Sequence, residues 1–207
     1  MRTLTFILLT LILVASAATV TFQPDAAVGK DTITWKFYPN SSFGTFAAIE
    51  WGTLANPDDT IHGFIEFTEL NDPQYQGVIV NSAIIHFYAF SVDGGGQPYQ
   101  YGPCDTPWEE STLTWNTMPG THETITTTYP SSSGWITYDI TAWVQNWLDG
   151  TWNNNGLAFI DNEGINQCIC ARSSDYSVDP SLRPKLILDY SSAALDETTW
   201  GELKATF

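Results

Sequence analysis

Basic residues are scarce in this sequence. The 207-residue chain has seven Lys and Arg against 23 Asp and Glu, which gives a formal net charge of −16. Such a protein repels the phosphate backbone of nucleic acids, and no stretch of the sequence collects enough basic side chains to oppose that repulsion. The composition therefore excludes a nucleic-acid partner, and it remains compatible with neutral glycans or bound cations.

Long apolar runs are absent beyond the N-terminus. Arg2 precedes the mostly apolar residues 4–14, and residues 15–17 form an A-x-A cleavage pattern. This arrangement predicts a secretory signal peptide over residues 1–17 and a secreted or cell-surface protein, with an uncleaved N-terminal anchor as the alternative. No later segment reaches the 18 apolar residues expected of a membrane-spanning helix.

Motifs typical of enzymes are also missing. The three histidines, His62, His86 and His122, have no serine, cysteine or metal-ligand partner at a characteristic spacing. Glu109 and Glu110 are adjacent, so on a strand they point to opposite faces and make a poor acid/base pair. We therefore expect a non-catalytic protein.

Cysteines are few, at positions 104, 168 and 170. In an oxidising compartment we expect a disulfide from Cys104 to Cys168 or Cys170, because the latter two share one face of a strand and cannot easily pair there. Such a bridge closes a loop of about 65 residues and contributes about 4 kcal/mol. Three reduced cysteines are the alternative.

Turn-forming clusters of Gly, Pro, Asn and Asp recur roughly every ten residues, between short runs rich in aromatic and β-branched side chains. Residues 84–90 are nearly all apolar, as in a strand buried on both faces, and residues 185–190 predict the last strand. The pattern predicts one all-β domain over residues 18–190, a jelly-roll-like antiparallel β-sandwich.

One segment has helical periodicity. Apolar residues stand at i, i+3, i+4, i+7 and i+8, namely Ile140, Trp143, Val144, Trp147 and Leu148. Asp139 or Thr141 caps the start and Gly150 follows the end, so we expect one short helix with both tryptophans in the core.

A tail, residues 191–207, follows the last strand, with Trp200, Leu203 and Phe207 at helical spacing. We interpret it as a C-terminal helix docked on the domain, or as a segment for sorting or attachment to a cell surface.

Several motifs together resemble a known family. They are residues 23–32 (QPDAAVGKDT), 40–44 (NSSFG), 80–85 (VNSAII), 108–116 (WEESTLTWN) followed by Pro119, 134–141 (GWITYDIT), 155–157 (NGL), 172–174 (RSS) and 182–186 (LRPKL). The chain resembles the DNRLRE-domain proteins, which are extracellular β-sandwich modules related to disaggregatase repeats and to a carbohydrate-binding module family. The resemblance implies a β-sandwich that binds a polysaccharide or a surface glycan.

Within these motifs we interpret Glu110 as a hydrogen-bond anchor for nearby backbone. Trp108, Trp115 and Trp135 are expected to lie mainly in the core.

Sugar binding requires exposed aromatic rings beside polar side chains. Trp152 with Asn153 lies in a polar loop, and Tyr99 and Tyr101 flank Gln100. Both sets are candidate platforms, although the acidity argues against polyanionic glycans unless calcium bridges the charges. The alternative function is that of a structural or adhesive surface subunit that binds no glycan.

Calcium is the expected cofactor, because it binds carboxylate, amide and carbonyl oxygens. Asp25 and Asp31 bracket a turn that contains glycine, and Asn154, Asn155 or Asp161 can approach from a distant strand. We predict a structural calcium site from Asp25, Asp31, Asn154 and Asp161.

Overall fold

A computed structural model describes residues 17–161 and 166–192. Nearly all of the predicted signal peptide and of the tail beyond residue 192 lie outside these residues. The described residues form eleven strands and one α-helix. They are β1 Ala17–Phe22, β2 Lys30–Trp35, β3 Ala48–Thr53, β4 Thr60–Glu66, β5 Ile79–Asp93, β6 Pro98–Pro103, β7 Ile125–Thr128, β8 Gly134–Asp139, α1 Thr141–Leu148, β9 Leu157–Ile160, β10 Gln167–Arg172 and β11 Lys185–Ser191.

The strands form one continuous antiparallel sheet in the order β1-β11-β5-β10-β3-β4-β9-β6-β7, with β2 paired to β4 and β8 paired to β5. The sheet curls around a core to which nearly every strand contributes. This architecture confirms the all-β, sandwich-like fold with one helix. No helix among the described residues has the length and apolar character needed to cross a membrane.

The long strand β5 pairs with three other strands and lies at the centre of its half of the sheet. It pairs with β8 on one side and, on the other, with β11 and then with β10. Its residues alternate: Ala83, Ile85 and Phe87 are fully buried, whereas His86 and Tyr88 point outward and are half-buried. The prediction of a strand buried on both faces is therefore wrong, because the outward residues of β5 stay half-buried or exposed among the residues that the structure describes.

Aromatic rings fill the core around Trp51. Its ring stacks on Phe159, with centroids 4.6 Å apart. Tyr99 is 2% exposed and its hydroxyl hydrogen-bonds that of Tyr138, while Tyr101 is 6% exposed and lies parallel to Phe159. Tyr99 and Tyr101 are therefore core residues, and their prediction as a sugar platform is wrong. The cause is the alternation of β6, whose odd-numbered positions point into the core.

The helix is confirmed at α1. Trp143 and Trp147 are buried, and Asp139 accepts a hydrogen bond from the Thr141 backbone N–H at 2.9 Å at its start. The Gln145 side chain docks it on β5: its Oε1 accepts from the Val80 N–H at 2.8 Å. The predicted last strand is confirmed as β11.

All three cysteines are free thiols. Cys104 follows β6 and packs in a small cluster with Phe64 and Trp108, whereas Cys168 and Cys170 lie on β10. Strands β3, β4 and β9 separate β10 from β6, and each step between neighbouring strands is about 4.8 Å. The predicted disulfide of Cys104 with Cys168 or Cys170 is therefore wrong, because a bridge needs Cα atoms within about 6.8 Å.

Candidate functional site

The four residues predicted to bind calcium do not come together. Asp25 accepts from the Ala27 N–H in its own turn at 2.9 Å. The Asn154 amide donates to the Phe67 carbonyl at 3.0 Å, and buried Asp161 accepts from Thr53 and Gln167. Only Asp31 of the four belongs to an acidic cluster, so the predicted ligand set is wrong: the others satisfy local hydrogen-bonding groups.

That cluster, called the acidic site below, consists of Asp31, Glu110 and Asp175, and their nearest carboxylate oxygens all lie within 4.8 Å of one another. Asp31 is on β2, Glu110 is in the loop that follows β6, and Asp175 follows β10. Glu110 Oε1 accepts from the Asp31 N–H at 3.2 Å, which confirms its expected role as a backbone anchor. Asp31 Oδ2 accepts from the Ser174 N–H at 2.8 Å.

Two oxygens at the acidic site are buried without a partner among the described residues, Asp31 Oδ1 and Ser174 Oγ. Burial raises the pKa of Asp31 to about 7, against the lowering effect of the hydrogen bond from the Ser174 N–H, and the charges of Glu110 and Asp175 add to the rise. Burial also raises the pKa of Glu110 and of Asp175. Because the three carboxylates destabilise each other's charge, the site is suited to a cation.

Two glycines allow this close packing. A Cβ on Gly29 would lie 2.3 Å from the Ser174 Cβ, and one on Gly44 would lie 2.5 Å from the Glu110 carbonyl oxygen. The motifs at residues 23–32, 40–44, 108–116 and 172–174, which are distant in sequence, thus meet at one point. The sequence alone does not predict that these four motifs lie close together, because their proximity depends on which strands pair.

The predicted Trp152 platform is partly covered. Asn153 is exposed, but Trp152 is half-buried and packs against the core. The His122 ring stacks on the Trp152 ring at 4.7 Å between centroids, with 11° between the planes. One face of the indole is therefore taken by protein.

A partly exposed aromatic surface lies on the outer side of β5, β8 and β11. We call it the outer aromatic face and define it by Trp135, Tyr88, His86, Phe90 and Lys185. Trp135 is 43% exposed, so its prediction as a core residue is wrong; Trp108, at 4%, is confirmed in the core.

The neighbours of Trp135 are fixed by the register of the strands. Trp135 is the cross-strand partner of Tyr88, and Lys185 is the partner of His86. The Lys185 Nζ lies 4.5 Å from the centre of the Trp135 ring, and the Tyr88 ring meets it edge-on at 5.6 Å. Lysine thus lies over one face of the indole, and 43% of the Trp135 surface stays exposed to solvent.

The cations of the described residues are unevenly distributed. Lys30 pairs with Glu66 at 2.7 Å and Lys36 with Asp58 at 3.6 Å. Arg172, Arg183 and Lys185 form no ion pair within the described ranges. The Arg172 guanidinium lies over the Phe90 ring at 4.1 Å, and Lys185 lies over Trp135. The Arg172 guanidinium also lies over Tyr176 at 4.0 Å, so it is enclosed between two rings, and the positive charge that the outer aromatic face presents is that of Lys185.

Comparison with known proteins identifies the family of this chain. Comparison with curated proteins gives no significant match. Comparison with protein families matches residues 18–188, almost the whole of the predicted domain, to carbohydrate-binding module family 96. The chain therefore belongs to carbohydrate-binding module family 96.

Proposed function

We propose that this protein is a secreted, non-catalytic module that holds an extracellular polysaccharide or cell-surface glycan against the outer aromatic face. The observation that carries the proposal is the 43% exposure of Trp135 on a sheet surface, with Lys185 beside it. A pyranose ring stacks its C–H groups on the free face of the indole, and Tyr88, His86 and Lys185 meet its hydroxyl groups at the rim.

The ammonium group of Lys185 favours a sugar that carries carboxylate or sulfate groups. Net charge acts at long range and is screened beyond about 8–10 Å at physiological salt, whereas Lys185 would touch the ligand directly. This local charge outweighs the sequence-based expectation against polyanionic glycans, which rested on the total charge of the chain.

The test is calorimetric titration with an oligogalacturonate and with a neutral cello-oligosaccharide. Trp135→Ala should weaken binding roughly tenfold, since a stacked ring contributes about 1 kcal/mol. Phe37→Ala is the matched control, because it removes another exposed aromatic ring away from this face. Unchanged binding in Trp135→Ala, with loss in Asn153→Ala, would move the site to the Trp152 loop.

The non-catalytic part of the proposal agrees with the surroundings of the histidines. His62 is buried against Trp115, and burial lowers its pKa to about 4, so it is neutral at pH 7. His122 is stacked on Trp152, and His86 belongs to the outer aromatic face. A screen for release of reducing ends from the bound polysaccharide tests this part.

We also propose that the acidic site binds a structural calcium ion. Asp31, Glu110 and Asp175 supply carboxylate oxygens and Ser174 supplies a hydroxyl, all of which are hard ligands that calcium prefers. The ion would neutralise the buried charge that these carboxylates create. Isothermal titration with calcium should show one site per chain, and Asp31→Asn should abolish it; binding that survives this substitution would refute the assignment.

Secretion and the boundaries of the mature chain are proposals that rest on the sequence of residues 1–17. Expression of the full chain in a secreting host, followed by N-terminal sequencing, should give a product that begins near Ala18. An intact N-terminus on a membrane-bound product would support the uncleaved anchor instead.

A structural or adhesive role is the second candidate. Strand β1 pairs with β11 on one side and lies at one end of the sheet, and no described residue pairs with its other edge, where a further strand could add. Absence of glycan binding together with concentration-dependent oligomers, broken by Val20→Pro, would favour this role.

A further inference from the structure

The outer face of β10 carries a second group of potential metal ligands, which shares no residue with the acidic site. Cys168 and Cys170 are two residues apart on one strand, and their Sγ atoms are 3.8 Å apart. Glu50 on β3 is the cross-strand partner of Cys170. The two sulfurs and a Glu50 carboxylate oxygen all lie within 4.8 Å of one another.

The separation of the sulfurs suits a shared metal ion. Two thiolates bound to one tetrahedral zinc, each at about 2.3 Å, are about 3.8 Å apart. A disulfide instead needs about 2.0 Å between the sulfurs, and Cα atoms two residues apart on a strand, at about 6.6–6.8 Å, are at the upper limit for such a bond. The hydrogen-bonded ladders to β3 and β5 hold β10 in this extended form.

The residues around Cys168 and Cys170 place negative charge beside the two thiols and leave one of them half-exposed. Asp93 on β5 is the cross-strand partner of Cys168, so carboxylates flank the thiol pair on both neighbouring strands. Cys170 is half-buried, and Cys168 lines an open pocket with Asp93 and Gly94. The half-buried Cys170 thiol therefore gives an ion an approach from solvent, and the carboxylates neutralise the ion once it is bound.

We propose that Cys168, Cys170 and Glu50 form a binding site for a thiophilic divalent cation such as Zn²⁺. Binding replaces the two thiol protons, which are released to solvent, and leaves a fourth coordination position for water. Thiolate sulfur selects this class of ion over calcium, which the all-oxygen acidic site would take. The site is independent of glycan binding and of the acidic site.

The experiment uses Cd²⁺ as a probe on the reduced full-length protein. Addition of Cd²⁺ should produce the ultraviolet thiolate-to-cadmium charge-transfer band at one ion per chain. Cys168→Ser and Cys170→Ser should each lose most of the band, and Glu50→Gln should weaken Zn²⁺ competition roughly tenfold. Cys104→Ser is the matched control, because it removes a buried thiol outside the cluster and should leave the band unchanged.

Circular dichroism separates loss of the site from loss of the fold, and the smaller Glu50→Gln change provides a second readout. No band in the folded wild-type protein would overturn the proposal, as would a band that persists in both serine variants. Loss of two hydrogen masses when the reduced protein meets air and Zn²⁺ together would also overturn it, because the thiols would then prefer a disulfide.

Discussion

Without calcium, the stability of this protein should fall as the pH rises past the pKa of Asp31. Burial raises that pKa from 3.8 to about 7, so the folded protein binds a proton that the unfolded chain has lost over this range. Its contribution is complete below pH 3.8 and disappears as the pH rises through 7. The rise of the pKa from 3.8 to about 7 means that this one group lowers the free energy of unfolding by on the order of 4 kcal/mol between low and high pH.

Calcium should reverse this dependence, because it stabilises the ionised form of Asp31. Urea unfolding at pH 5 and pH 8, in chelator and in calcium, measures both effects. Asp31→Asn is the decisive variant: it removes the titrating group, so its loss of stability with pH in chelator should be much smaller than that of the wild type. It should also gain nothing from calcium. Equal pH dependence in the two proteins, or equal stabilisation by calcium, would refute the reasoning.

Further predictions concern packing and ligand binding. Trp51→Ala should lower the free energy of unfolding by about 3–5 kcal/mol in urea, because it empties the centre of the aromatic core; a loss below 1 kcal/mol would contradict this packing. Gly29→Ala should weaken calcium binding, because the added Cβ would lie 2.3 Å from the Ser174 Cβ. It should also lower the free energy of unfolding more than Gly77→Ala does. A Cβ at Gly77 meets no atom within 4 Å, so that variant loses only about 1 kcal/mol, for the positive φ of 72°. Lys185→Ala should weaken binding of an acidic oligosaccharide more than Lys36→Ala, whose ammonium is paired with a carboxylate; equal effects would indicate nonspecific attraction.

Local signals were enough to predict much of the fold. The helix at α1 follows from the spacing of Trp143 and Trp147, because helical periodicity is a property of one segment. The last strand is equally local. Residue identity alone also gave Glu110 its role as a backbone anchor, since an acidic side chain in a buried loop needs donors.

The site could not be predicted in the same way, because it depends on which strands pair and in which register. Tyr99 is buried and Trp135 is exposed, yet both are aromatic residues in strands, and their own sequence does not tell which side faces the core. The sequence predicts Asp31 as a cation ligand, but its neighbour Asp175 in the acidic site lies 144 positions away and is reached through β10 and the loop after it. The absence of a bridge to Cys104 likewise follows from strand order.

The meeting of distant motifs at the acidic site has a kinetic consequence. The hydrogen bond from Ser174 to Asp31 joins residues 143 positions apart, so it forms only after both ends of the chain have reached the sheet. Contacts of such long sequence separation form late in folding and break early in unfolding. An ion bound at the acidic site would stabilise this contact only after the folded structure has formed. Calcium should therefore slow unfolding, and so lengthen the survival of the protein during proteolysis, while leaving the folding rate nearly unchanged.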